Sequence, residues 1–216
     1  MRSCVALAVG MLALASPASA QTSASASDAD HGYVQGVIQS AFGNVTSQSF
    51  GAEVGFTVVP HVQVFVEAGR VRDVATSGIG AAAQSIAGFL SQTQADVAFR
   101  VKEPVTFGAA GLKFIVPTAG TLRPYVLGGG GVASVKQDVA FTVGGTDVTS
   151  NLPQLGVTLG SDLSGTFTKP MVVAGAGVMW PWQRLVVDLQ YRYGRIFADD
   201  GGINVSRAGV GIGFRF

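Results

Sequence analysis

The chain has 216 residues, 48% of them hydrophobic and only 12% charged, with a mean hydropathy of +0.41. A soluble domain carries roughly a quarter charged residues, so this composition argues against one. The 14 basic and 13 acidic residues nearly cancel and no basic patch stands out in the sequence, which removes nucleic acid from the partners; one cysteine and two histidines leave too few ligands for a transition-metal site and imply no cofactor.

Met1-Arg2 is a short positive start, Cys4 to Ala15 an apolar stretch, and Ala18-Ser19-Ala20 a small-residue cleavage site before Gln21. Residues 1–20 therefore read as a secretory signal peptide. The apolar stretch is too short to span a bilayer, and no later segment offers the roughly 20 apolar residues of a membrane helix. Cys4, the only cysteine, falls inside the leader, so neither a disulfide nor a lipid anchor is implied. Cleavage removes Arg2 and takes the basic count from 14 to 13, equal to the 13 acidic residues. Residues 21–31 form a polar, Ser/Ala-rich linker facing the periplasm.

From Gly32 onward the sequence divides into eight strand-like segments, near 32–42, 48–59, 61–73, 105–116, 123–136, 170–180, 184–196 and 204–216. Their connections alternate between short turns, such as Val59-Pro60-His61, and two long segments, 74–104 and 137–169. Within the segments the side chains alternate. Phe50, Ala52, Val54, Phe56 and Val58 share one face, opposite Gly51, Glu53, Gly55 and Thr57. Val187, Leu189, Tyr191 and Tyr193 oppose Asp188, Gln190, Arg192 and Gly194 in the same way. Gly128 to Gly131 and Gly175 to Gly177 leave both faces of the fifth and sixth segments small or apolar, and their orientation open.

The last segment alternates strictly and ends on a bare aromatic: Val210, Ile212, Phe214 and Phe216 on one face, Arg207, Gly209, Gly211 and Gly213 on the other. An apolar face with nothing beyond it to cover Phe216 suits lipid, and the opposite face suits a polar interior. The expected fold is an all-β, eight-stranded antiparallel up-and-down transmembrane barrel over 32–216, with long extracellular loops. Aromatic girdles are expected at the periplasmic rim (Phe56, Phe114, Tyr125, Trp180, Trp182, Phe216) and at the outer rim (Phe42, Phe50, Tyr193, Phe197). In 74–104, Ile79, Ala82, Ala83, Ile86, Phe89 and Leu90 recur at helical spacing. The short helix they predict has three resting places: the outer leaflet, the barrel mouth, or the second long loop around Leu152 to Leu163.

Glu53, Glu67, Lys113, Asp188, Arg192 and Arg207 fall on the inward faces. An eight-stranded interior is just filled by side chains, so these six are expected to form an ion-pair network that plugs it. Counted from the turns, Glu53 and Glu67 share a depth, Lys113 lies beside Glu67, and Arg192 pairs with Arg207 slightly higher. If the network is the plug, Glu53→Ala with Arg207→Ala should raise conductance. Catalytic signals are weak. His31 and His61 sit at the periplasmic end, and the outer rim offers only Asp147, Asp162, Lys169, Asp199 and Asp200. The glycine run 128–131 lacks the Lys-Ser/Thr ending of a phosphate loop.

Arg123-Pro124-Tyr125-Val126 followed by glycines, the segment Leu189-Gln190-Tyr191-Arg192-Tyr193, and the ending Gly211-Ile212-Gly213-Phe214-Arg215-Phe216 resemble the later strands of the small outer-membrane barrels. That superfamily includes the transmembrane domain of outer membrane protein A and the outer membrane protein X and W families. The resemblance implies an integral outer-membrane protein of structural and surface-interaction role, non-enzymatic, in contact with outer-membrane lipids and lipopolysaccharide. It also implies that Val210, Ile212, Phe214 and Phe216 act as the C-terminal signal read by the barrel-assembly machinery. A small porin-like channel for small or hydrophobic solutes is the alternative, and a lipid-modifying enzyme a more distant one.

Overall fold

A computed structural model describes residues 31–160, 163–198 and 202–216. The leader, the linker up to Asp30, and Asp162, Asp199 and Asp200 lie outside the described residues. The elements run β1 (Gly32–Phe42), β2 (Ser47–Val59), β3 (Val62–Val71), α1 (Ser77–Leu90), β4 (Val97–Lys102), β5 (Val105–Ile115), β6 (Arg123–Val143), β7 (Thr146–Asp147), a 3-10 turn (Thr149–Leu155), β8 (Ser164–Trp182), β9 (Leu185–Ile196) and β10 (Ile203–Arg215). Eight of these strands close a ring in the order β1-β2-β3-β5-β6-β8-β9-β10, every pair antiparallel, with β10 returning to β1.

The ring's stagger can be read from its register. Starting at Gly32 and stepping across partners leads to Phe56, Val64, Leu112, Gly128, Ala174, Tyr193, Ser206 and back to β1 at Phe42, ten residues further along. Eight strands with that displacement tilt by about 40° from the barrel axis, so each residue climbs about 2.5 Å. About ten residues of height, five of them facing outward, thus match an apolar band about 25 Å tall.

The barrel is inside out relative to a soluble domain. Ile38 and Leu189 are 65% and 64% exposed on the outer wall, whereas Lys113 and Arg192 are fully buried within. No described helix is long and apolar enough to cross a membrane. The exposed apolar wall of strands is the surface that hydrocarbon would meet. Phe56, Phe114, Trp180, Trp182, Phe214 and Phe216 stand exposed around the end that carries Gly32 and the short turns. Phe56 and Phe216 meet edge to face at 6.0 Å. Phe42, Phe50, Tyr191 and Phe197 stand exposed toward the loop end. The last strand closes the ring through Gly32 and Phe216, whose backbone groups exchange two 2.9 Å hydrogen bonds.

Two expectations are corrected. Tyr125 is no girdle residue: it points inward and is 2% exposed, because β6 places Tyr125 and Leu127 inside and Val126 outside. The second long segment is also not all loop. β6 and β8 run on past the ring, and β4 and β7 pair with the protruding part of β6. The reason lies in residues 139–141, where the alternation continues with Val139 and Phe141 turned inward and in need of cover. The helix supplies it. Ile79, Ala83, Ala87 and Leu90 form one stripe of α1 and pack with Val139, Phe141, Leu152 and Leu163 into a second small core beyond the barrel. Of the three resting places, the helix takes the second long loop.

Candidate functional site: the barrel lumen

The lumen is layered. Nearest the short turns, Tyr33, Phe65, Tyr125, Leu127, Met179 and Val186 pack together. Nearest the loops, an apolar disc is formed by residues that include Val71, Val105, Phe107, Ala133, Met171 and Val205. Between the two lie three carboxylates, Glu53, Glu67 and Asp188, and three cations, Lys113, Arg192 and Arg207, all buried. The charges balance, as burial in a low dielectric demands.

Each side chain owes its place to strand parity, and its partner to the stagger. Lys113 extends its ammonium to Glu53 Oε1 at 2.7 Å and to the Tyr33 hydroxyl at 2.6 Å. It also lies 4.3 Å from the centre of the Tyr125 ring and 4.7 Å from that of Tyr33, so two aromatic faces complete its cage. The Tyr33 hydroxyl donates to Glu53. Tyr125 donates to Asp188 at 2.9 Å, and Gln35 Nε2 donates both to Asp188 at 3.1 Å and to Glu53 at 3.2 Å. Above this group Arg192 forks between Glu53 and Glu67, with its Nε on Gln190 at 2.6 Å. Arg207 takes the other oxygen of Glu67 at 2.9 Å and stacks 4.2 Å over the Phe107 ring.

All six charged residues named from the sequence therefore meet in one network, a chain of contacts running Asp188, Gln35, Glu53, Arg192, Glu67 and Arg207, with Lys113 branching from Glu53. One pairing differs from those counted from the turns. Lys113 joins Glu53, not Glu67: its cross-strand partner is Gln63, while Glu67 pairs with Ala109, four residues higher. Arg192 and Arg207 are direct partners across β9 and β10, and Glu67 holds them side by side. Counting residues from each turn ignores the tilt, which lifts every strand relative to the one before it.

Tyr33, Gln35, Tyr125 and Gln190 belong to the network and were not assigned to it from sequence. The two tyrosines need room that glycine supplies. A Cβ at Gly55 would stand 2.3 Å from the Tyr33 ring, and one at Gly177 would stand 2.5 Å from the Tyr125 hydroxyl.

Among the described residues the lumen holds no histidine or cysteine, and no group of three potential ligands could bind a metal ion. His31 and His61 are exposed at the turn end. Asp147 lies exposed at the loop end, where hydrogen bonds from Thr149 hold its carboxyl below the usual range.

No family model matches the chain, and no curated protein matches it either. Solved structures do match. Neisserial surface protein A superposes with a TM-score of 0.53 at 13% identity, covering 86% of this chain and 97% of its own. Ail, the attachment invasion locus protein of Yersinia pestis, solved in complex with the heparin analogue sucrose octasulfate, gives 0.46 at 14% identity over 86% and 96%. The N-terminal β-barrel domain of Pseudomonas aeruginosa OprF gives 0.46 at 17% identity over the same shares. The chain has the fold of the small outer-membrane β-barrels.

Proposed function

We propose that this chain is an exported, integral outer-membrane barrel without enzymatic activity, which contributes to envelope integrity and presents a rigid platform at the cell surface. The layered lumen carries this reading. A balanced ion-pair network, bounded on both sides by apolar packing, fills the space a solute path would need. Beyond the barrel, α1 and the protruding strands share a core of their own, which favours a firm surface over a mobile loop. The short turns, Gly32 and Phe216 face the periplasm, and Val210, Ile212, Phe214 and Phe216 supply the apolar outer face of the closing strand, as an assembly signal requires.

The test is electrical. Mature residues 21–216 reconstituted in planar bilayers are expected to fold, shown by a heat-sensitive shift in gel mobility, and to remain silent. Discrete, reproducible openings of the folded wild-type protein would replace this reading with the porin-like channel.

A further inference from the structure

Building on the membrane-barrel reading, we infer that the outer wall of β3, β4 and β6 carries a docking strip for the phosphorylated headgroups of outer-leaflet lipids. Cross-strand register places it on the wall, along rows that climb with the strand tilt. One outward row runs Ala52, Ala68, Gly108 and Val132, all small or apolar. The next outward row runs Phe50, Arg70, Thr106 and Ser134. On β3, β5 and β6 the wall thus turns from apolar to polar within one outward step, about 5 Å of height. Arg72 and Lys136 follow one outward position higher, and Lys102 and Arg100 continue upward on β4, opposite Asp138 and Ala140.

Five cations therefore rise in one arc from the edge of the apolar wall, and all five are exposed. Lys136 has Asp138 at 3.6 Å, both more than half exposed, and Arg72 donates to Gln48 at 2.7 Å. Arg70, Arg100 and Lys102 make no ion pair with the described residues. The opposite arc is different in kind: Tyr191 meets Ser206 at 3.0 Å, Tyr193 donates to Asn204 at 2.8 Å, and Arg195 is its one outward cation among the described residues. Continuity with the lipid-facing wall decides what the strip meets. A molecule touching Ala68 with its chains and Arg70 with its head must be a lipid, and five positive side chains against one acid select a head that bears phosphate.

Two charge-matched double variants test the assignment. The folded chain, in detergent, is mixed with bisphosphorylated lipid A or with the same lipid stripped of its phosphates, and the bound lipid is counted by native mass spectrometry. Wild-type protein should retain the phosphorylated form in preference, and added salt should weaken the retention. Arg70→Gln with Lys102→Gln should lower retention about fivefold or more, and Arg184→Gln with Arg195→Gln should leave it unchanged. Equal loss in the two doubles, or equal retention of the stripped lipid, would overturn the inference. So would displacement by inorganic phosphate at the lipid's own concentration, which would assign the strip to free anions. A wild-type chain that never gains the heat-sensitive gel shift fails the barrel reading itself, a separate result that takes the inference down with it.

Discussion

The ammonium of Lys113 and the carboxylate of Glu53 meet at 2.7 Å with neither side chain open to solvent, 60 residues apart in sequence. Removing one member of such a pair strands the other charge, at a cost of about 3–5 kcal/mol, whereas replacing both with neutral groups of similar shape can come close to neutrality. Lys113→Met is therefore expected to lower the free energy of unfolding from lipid vesicles in urea by about that amount. Adding Glu53→Gln should recover at least half of the loss. Strict additivity of the two substitutions would show that the pair is not coupled.

Conductance separates the charged layer from the apolar disc above it. Glu53→Ala with Arg207→Ala removes part of the network but leaves Phe107, Met171, Val71 and Val105 packed across the lumen. The double variant is therefore expected to stay silent in planar bilayers, contrary to the simplest reading of the charges. Adding Phe107→Ala and Met171→Ala should produce measurable current, since a narrow apolar constriction blocks ions by excluding water. Openings in the double variant alone would show that the ion pairs are the whole barrier.

Gly55 provides the berth of Tyr33. A methyl group there would meet the ring at 2.3 Å, and the facing strand leaves the ring little freedom because its hydroxyl is engaged by Glu53 and Lys113. Gly55→Ala is expected to destabilise the barrel by about 1–3 kcal/mol, the usual range for overpacking. Gly36→Ala is the control, since a Cβ at that outward position meets nothing within 4 Å. Equal urea midpoints for the two variants would count against the fit.

Much of this arrangement is legible in the sequence because lipid imposes a severe rule. In a strand whose alternate residues are Val187, Leu189 and Tyr191, a charge at position 188 or 192 has only the lumen to occupy, so Glu53, Asp188 and Arg192 declare their direction locally. Tyr33, Gln35 and Gln39 obey the same parity against Val34 and Ile38 and were readable by it. Tyr125 was not, because Val126 and Leu127 are both apolar on opposite faces and the glycines that follow mark neither. The partner of Lys113 was hidden for a different reason. Partnership depends on height, height depends on the ten-residue stagger, and that stagger is a property of the closed ring that no single segment carries. The apolar disc escaped notice because the pattern inverts near the strand ends, where Val71, Val105 and Val205 point inward while Arg70, Thr106 and Ser206 point outward.

Glu103 ties the surface core to the barrel mouth. Its Oε2 accepts the Thr76 backbone N–H at 2.8 Å just before α1, and its own backbone N–H is held by Asp73 at 3.0 Å. Burial, with the Asp73 carboxylate nearby, pushes its carboxyl above the ordinary 4.5. The sign follows: between that ordinary value and the raised one the folded state holds a proton that the unfolded state has released, so the fastening weakens as pH climbs through the window. Hydrogen exchange at α1 is expected to speed up from acid toward neutral pH beyond the intrinsic trend, relative to β9 in the same molecules. Glu103→Gln keeps an acceptor for Thr76 and should remove that excess. An excess that survives in the variant would place the titrating group elsewhere.

Leu152 is fully buried between α1 and the protruding end of β6, in a core that contains none of the residues of the barrel's two apolar layers. Truncation to alanine in a packed core costs about 2–5 kcal/mol, enough to open a small unit built on one helix and a few strand ends. Leu152→Ala is therefore expected to make residues 74–104 susceptible to added protease on intact cells while the heat-sensitive gel shift of the barrel stays intact. The Lys113–Glu53 pair lies near the opposite end of the lumen and should be indifferent to the change, so the urea midpoint of the membrane part should not move. Simultaneous loss of the gel shift would mean that the surface core and the barrel fold as one cooperative unit, and that the platform at the cell surface is an integral part of what keeps the lumen closed.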